Sequence, residues 1–138
     1  KVRRALQSSR MLSSDVSAAF DPNYAGVMET NNCAYFGRGI VFNKYTGARG
    51  KSGCNDANAE YIAELRAIME KEDVRYQTSE LGKVDQGGGG TIAKYMANRN
   101  IDTIDAGVPV MSMHAPFEVV AKFDCFMTYL GVLAAYKA

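Results

Sequence analysis

Apolar positions along the chain recur with two different periods, and the two periods mark out helices and strands. Ala59, Ile62, Leu65, Ile68 and Met69 return at helical spacing, which predicts a helix running to about Glu72 with one apolar stripe. Asn55 or Asp56 is placed to start it, because either side chain can accept from the free N–H groups of a first turn. A second stripe, Val120, Phe123, Met127, Leu130 and Ala134, predicts a closing helix with a core-facing side. Residues 1–10 and 91–98 read as shorter helices. Residues 11–16, 39–45, 74–81, 101–106 and 108–113 read as strands, the last two parted by Gly107. Residues 18–33 carry Asp-Pro-Asn and Asn-Asn and read as a loop, and Gly47, Gly50 and Gly53 mark a turn.

Helices alternate with strands, the pattern of an α/β layer built on a largely parallel or mixed sheet. Ligands of such sheets gather in the crevice beyond the carboxyl ends of the strands. Asp15, in Met-Leu-Ser-Ser-Asp, and His114, in Met-Ser-Met-His-Ala-Pro, both fall at such ends.

Composition narrows the picture without overturning it. The 138 residues suffice for one domain with a real core, and 47% hydrophobic with 22% charged residues is ordinary for a soluble protein. A net charge of +1 with no basic block favours neither nucleic acid nor an anionic membrane. The apolar stretch 117–136 is broken by Glu118, Lys122 and Asp124, so no membrane span is expected. Cys33, Cys54 and Cys125 are odd in number and unpaired in spacing, which points to reduced thiols and a cytoplasmic setting. Cys125, inside the last apolar stripe, is expected to be an inert core thiol. The chain opens on Lys-Val-Arg-Arg rather than Met, and is expected to be the downstream part of something longer.

His114 is the only histidine, and a neutral imidazole suits a borderline-soft divalent ion such as zinc. The bland reading is an ordinary core or surface histidine, and spacing alone favours it. Glu118, four residues on, is a candidate acceptor for the ring. Asp15 stands among Ser13, Ser14, Ser17, Ala18 and Ala19, whose small side chains leave room for an ion beside the carboxylate. Its bland counterpart is an Asp that bonds its own backbone at a loop start. The run Asp-Gln-Gly-Gly-Gly-Gly-Thr, from Asp85 to Thr91, frees backbone N–H groups ahead of a helix. It lacks the Gly-Lys-Ser/Thr of a phosphate loop, so it reads either as a hold on a substrate carbonyl or carboxylate, or as a plain turn. Two candidate ligands do not close a metal site, and no zinc-finger spacing is present.

Three stretches, Ser-Ser-Asp-Val-Ser-Ala-Ala-Phe-Asp-Pro-Asn-Tyr, Asp-Gln-Gly-Gly-Gly-Gly-Thr-Ile and Ile-Asp-Ala-Gly-Val-Pro-Val-Met-Ser-Met-His-Ala-Pro-Phe-Glu, occur in one order. Together they resemble the aspartyl aminopeptidase, or aminopeptidase I, family of zinc metallopeptidases. The resemblance runs over nearly the whole chain and is to the C-terminal half of the catalytic domain. It implies a three-layer α/β sandwich with a mixed, mainly parallel sheet, with residues 1–138 as part of that domain and the upstream catalytic segment and dimerisation domain absent. It implies Asp15 and His114 as ligands of two divalent ions, normally zinc, and places Asp85, Gly89 and Gly90 at the substrate. The general-base glutamate and the other ligands are expected upstream of Lys1, so that this chain alone would be an inactive part of a peptide-trimming hydrolase. Homo-oligomers, including tetrahedral dodecamers, are implied as well. Ala18 and Asp21 stand where animal members carry histidines, which sets the family's preference for acidic N-terminal residues in question here. Bacterial members resemble this variant more closely. The competing expectations are a non-catalytic interaction module that keeps the fold, and a small anion-binding domain that uses the glycine run.

Overall fold

The strand-forming runs pair into one central sheet and two short ladders in the computed structural model, which describes residues 1–48, 52–83 and 86–138. In chain order the elements are α1 (Val2–Gln7), β1 (Arg10–Ser13), β2 (Ser17–Ala18), a 3-10 turn (Pro22–Val27), β3 (Ile40–Asn43), β4 (Tyr45–Ala48) and β5 (Ser52–Asp56). There follow α2 (Ala59–Lys71), β6 (Tyr76–Ser79), α3 (Ala93–Ala97), β7 (Asp102–Gly107), β8 (Pro109–Val110) and α4 (Lys122–Lys137). The four-stranded sheet has the order β1-β7-β3-β6. β1 runs parallel to β7 and β3 parallel to β6, while β7 and β3 are antiparallel, so the sheet is mixed and mainly parallel. β2 pairs in parallel with β8, and β4 with β5 in antiparallel.

Strand alternation gives this sheet two unlike faces. Leu12, Ile40, Phe42, Ile104 and Ala106 point to one side and pack with Tyr61, Leu65 and Met69 of α2 and Met127 and Ala134 of α4. Each of those strand residues but the half-buried Leu12 is fully buried. The opposite face carries Ser13, Asp105 and Asn43, and Thr91, just ahead of α3, reaches it through Asp105. Helices therefore lie on both sides, the three layers expected of the fold.

The element edges differ from the sequence expectation in instructive ways. Residues 55 and 56 belong to β5, and the helix start falls instead to Asn58, whose Oδ1 accepts from Tyr61 N–H at 2.7 Å. The turn expected through Gly47, Gly50 and Gly53 is a pair of strands, with residues 49–51 outside the described ones. The strand expected to reach Asp15 stops at Ser13, because Asp15 N–H folds back onto the Ser13 carbonyl at 3.0 Å. In α2, Ala59 is exposed and Tyr61 takes its place in the core.

The stripe expected on α4 is rotated. Val120 precedes the helix and Phe123 faces outward, each 43% exposed. The buried side instead holds Asp124, Met127, Thr128, Gly131 and Ala134. Gly131 sets this orientation, since a Cβ there would stand 3.2 Å from Met69 Sδ and 3.3 Å from Ile40 Cδ1. Asp124, 0% exposed, secures it from the other end: its two oxygens accept from the Gly37 and Gly39 amides, each at 2.8 Å. Cys125 is consequently only half-buried, not a core thiol.

Candidate functional site

The strand ends of β1 and β7 lie side by side, with Ser13 opposite Asp105. Asp15 follows two residues after Ser13, where the chain leaves the sheet, and is half-buried. Its Oδ1 accepts from the Val16 amide at 2.8 Å, the local backbone bond that small polar residues favour. Gly107, two residues beyond Asp105, explains why the chain can run so close here. A Cβ on Gly107 would stand 1.7 Å from the Asp15 carbonyl oxygen, so only glycine fits.

Asp105 is the residue that sequence reasoning missed. It sits inside β7 with 0% exposure, an unusual place for a carboxylate. Thr91 Oγ1 donates to Asp105 Oδ2 at 2.6 Å, while Oδ1 has no hydrogen-bond partner among the described residues. Burial raises the Asp105 carboxyl above its ordinary range; the hydroxyls of Thr91 and Ser13 pull it back in part, and the negative charge of Asp15 pushes it up again. The usable signal in Thr-Ile-Asp-Ala-Gly was an acidic side chain in a strand whose neighbours are apolar.

Asp105 belongs to a row of polar residues that crosses the sheet. Registers Ser13↔Asp105, Asp105↔Asn43 and Asn43↔Ser79 place the four side chains on one face, all under 5% exposed. Asn43 Oδ1 accepts from Ser79 Oγ at 3.0 Å and from Ser17 Oγ at 3.1 Å. The β3–β6 end of the row is thus internally satisfied, and the Asp105 end is not.

The glycine run is joined to this row. Thr91 accepts from Ala93 N–H at 3.2 Å while donating to Asp105, so one hydroxyl starts α3 and pins the segment after Gly89 and Gly90 to β7. Gly89 is half-buried against Leu81, and Gly90 is exposed. Asp85, the third expected substrate residue, lies outside the described residues.

His114 is placed differently from Asp15. β8 ends at Val110, and Met111 and Val119 exchange two backbone hydrogen bonds of 2.9 and 3.1 Å that close a loop around residues 112–118. Ser112 (φ +57°) and His114 (φ +69°) take left-handed backbone conformations there. The predicted longer strand fails at this turn. Glu118 Oε1 accepts from the His114 backbone N–H at 2.6 Å, so it braces the loop rather than the imidazole. The ring itself is exposed. The β2–β8 ladder sets the two segments side by side, Asp15 ahead of its start and His114 beyond its end, with no hydrogen bond or ion pair between them among the described residues.

A carboxylate and an imidazole are suitable donors for zinc. They are also too few: among the described residues no group of three or more His, Cys, Asp or Glu side chains could hold a metal ion. The two candidate donors stand apart in kind, His114 on an exposed loop and Asp15 two residues beyond the end of β1.

A family described as aminopeptidase I zinc metalloprotease (M18) matches residues 1–136. A probable M18 family aminopeptidase 1 of Clostridium acetobutylicum is 65% identical over 134 residues, covering 97% of this chain and 29% of that protein. The corresponding protein of Thermotoga maritima is 47% identical over 126 residues, covering 91% and 28%. The chain thus spans about 30% of the length of the curated relatives it matches. The crystal structure of aminopeptidase I from C. acetobutylicum superposes with a TM-score of 0.91 over 97% of this chain and 29% of that one. A yeast aminopeptidase dodecamer, at 18% identity, shares the fold with a TM-score of 0.77 over 99% of this chain and 28% of its own.

Proposed function

The chain belongs to the aminopeptidase I zinc metalloprotease family (M18), and from that premise we propose that it is one part of an enzyme that removes N-terminal residues from peptides. The observation that carries the reading is the clustering of Asp15, Asp105 and the Thr91 end of the glycine run at the carboxyl ends of β1 and β7. Bound there, two divalent ions would supply Lewis-acid polarisation of the scissile carbonyl and a more acidic attacking water. Asp15 contributes a carboxylate and His114 an imidazole to hold them. The amides around Gly89 and Gly90 line the place of the substrate backbone. The chain's span of about 30% of its relatives' length supports the rest of the division of labour: the remaining ligands and the proton-accepting glutamate come from polypeptide outside these 138 residues.

The coarser features agree. Among the described residues no helix is long and apolar enough to cross a membrane, and Cys33 and Cys125 are free thiols, in keeping with a cytoplasmic enzyme. The exposed face of α4, with Phe123, Phe126 and Tyr129, is the kind of surface that an assembly covers. We infer from it a homo-oligomer, the kind of state named for the yeast dodecamer. Preference for an acidic N-terminal residue is the finest level of the proposal.

The test is a comparison of the isolated chain with the complete polypeptide. The isolated chain should hydrolyse no aminoacyl substrate and retain little zinc on dialysis, whereas the complete one should turn over substrate and keep its zinc. In the complete polypeptide, Asp15→Ala and His114→Ala should each abolish turnover and lower bound zinc. Full activity in both variants would sink the assignment. The second reading, a non-catalytic module, draws on the lack of any group of three or more possible metal ligands among the described residues, and wins if the complete polypeptide neither binds zinc nor turns over.

A further inference from the structure

One strand touches both halves of the proposed site. Asp105 and Gly107 lie two residues apart on β7 and so point to the same face, about 7 Å apart at the usual strand rise. At Asp105 the strand takes the Thr91 hydroxyl, 2.6 Å away, and through it the end of the glycine run. At Gly107 it abuts the Asp15 carbonyl so closely that no side chain is admitted. The backbone bond from Asp15 N–H to Ser13, and the register of Ser13 with Asp105, tie the same region from the β1 side.

We propose that β7 acts as a fixed spacer between substrate loop and metal ligand, with Thr91 and Asp105 as a positioning pair that latches the Gly87–Thr91 segment at a set distance from Asp15. This inference rests on the function proposed above and adds residues whose role is neither ligation nor contact with the reacting bond. Three facts point to a latch rather than to ordinary packing. Asp105 is wholly buried on a sheet face whose opposite side is apolar, a costly location unless its carboxylate is used. Thr91 is only half-buried, so the bond is not a by-product of core packing. The remainder of the polar row, Asn43, Ser79 and Ser17, is satisfied without Asp105 and needs nothing from it. A glycine run has many accessible conformations, and one charge-assisted hydrogen bond at its end, together with the start of α3, removes most of that freedom before substrate arrives.

The experiment uses the complete polypeptide with zinc bound and an aminoacyl-anilide substrate. Thr91→Val keeps the shape and removes the donor, and Asp105→Asn removes the charge. Each should raise KM about tenfold, leave zinc content unchanged and speed amide exchange over Gly87–Thr91, while Thr91→Ser stays near wild type in all three. Gly107→Ala should do the reverse, lowering bound zinc through Asp15. An unchanged KM and exchange rate in Thr91→Val overturns the latch. So does a loss of zinc in Thr91→Val, which would make the pair a support of the metal site instead. If the wild-type polypeptide shows no turnover at all, the functional reading has failed, whereas the exchange measurement still decides whether Thr91 restrains the loop.

Discussion

The two faces of the central sheet are made by the same four strands and obey different rules. On one, Ile40, Phe42, Ile104 and Ala106 meet α2 and α4, and any apolar side chain of the right volume would serve. On the other, Ser13, Asp105, Asn43 and Ser79 form a buried row in which each group needs a specific partner. The apolar face holds the domain together. The polar face gives up stability to place a carboxylate beside Asp15, the trade expected where a fold supports chemistry.

The contrast can be broken or sharpened by substitution, and thermal or urea unfolding is the measurement throughout. The largest effect is expected from Phe42→Ala on the apolar face, a loss of about 3–5 kcal/mol from lost burial and a residual cavity. Next comes Asp124→Ala, which strands the amides of Gly37 and Gly39 and should cost about 2–4 kcal/mol, although it removes no apolar contact. A loss below 1 kcal/mol would show that water replaces the carboxylate. Asn58→Ala, at the start of α2, should cost about 1 kcal/mol.

The smallest effect carries the opposite sign. The folded-state carboxyl of Asp105 is raised above its unfolded value of 3.8, so the native state binds the extra proton. Its unfavourable contribution is absent below pH 3.8, grows as pH rises towards the folded value, and is complete above it. Asp105→Asn should therefore stabilise the protein at pH 7 more than at pH 4, while impairing substrate binding. A variant that is less stable at pH 7 would mean that the carboxylate gains more from its partners, Thr91 among them, than burial costs it, and the contrast between the faces would disappear.

Much of the architecture was legible before any coordinates. The α2 stripe needed only helical spacing, and Leu65 and Met69 are in the core as that spacing implied. The mixed α/β sheet followed from the alternation of elements. At the site, Asp15 stood out through the small residues around it and His114 through being alone. What they touch was not legible. Glu118 looked like a partner for the imidazole and proved to hold the backbone of the loop, because two left-handed residues turn the chain back at that point. Asp124 looked like an interruption in an apolar stretch and proved to be the anchor of Gly37 and Gly39, 87 and 85 residues away.

By itself the order of residues determined the periodicities, the family and the types of donor available, because these depend on neighbours in the chain and on side-chain chemistry. Only the tertiary structure decided which face of α4 is buried, that Asp105 lies close enough to Asp15 to feel its charge, and that Thr91 joins the glycine run to β7. Those outcomes depend on the register between distant strands and on close approaches such as Gly107 to Asp15, which follow from packing the whole chain and from no local pattern.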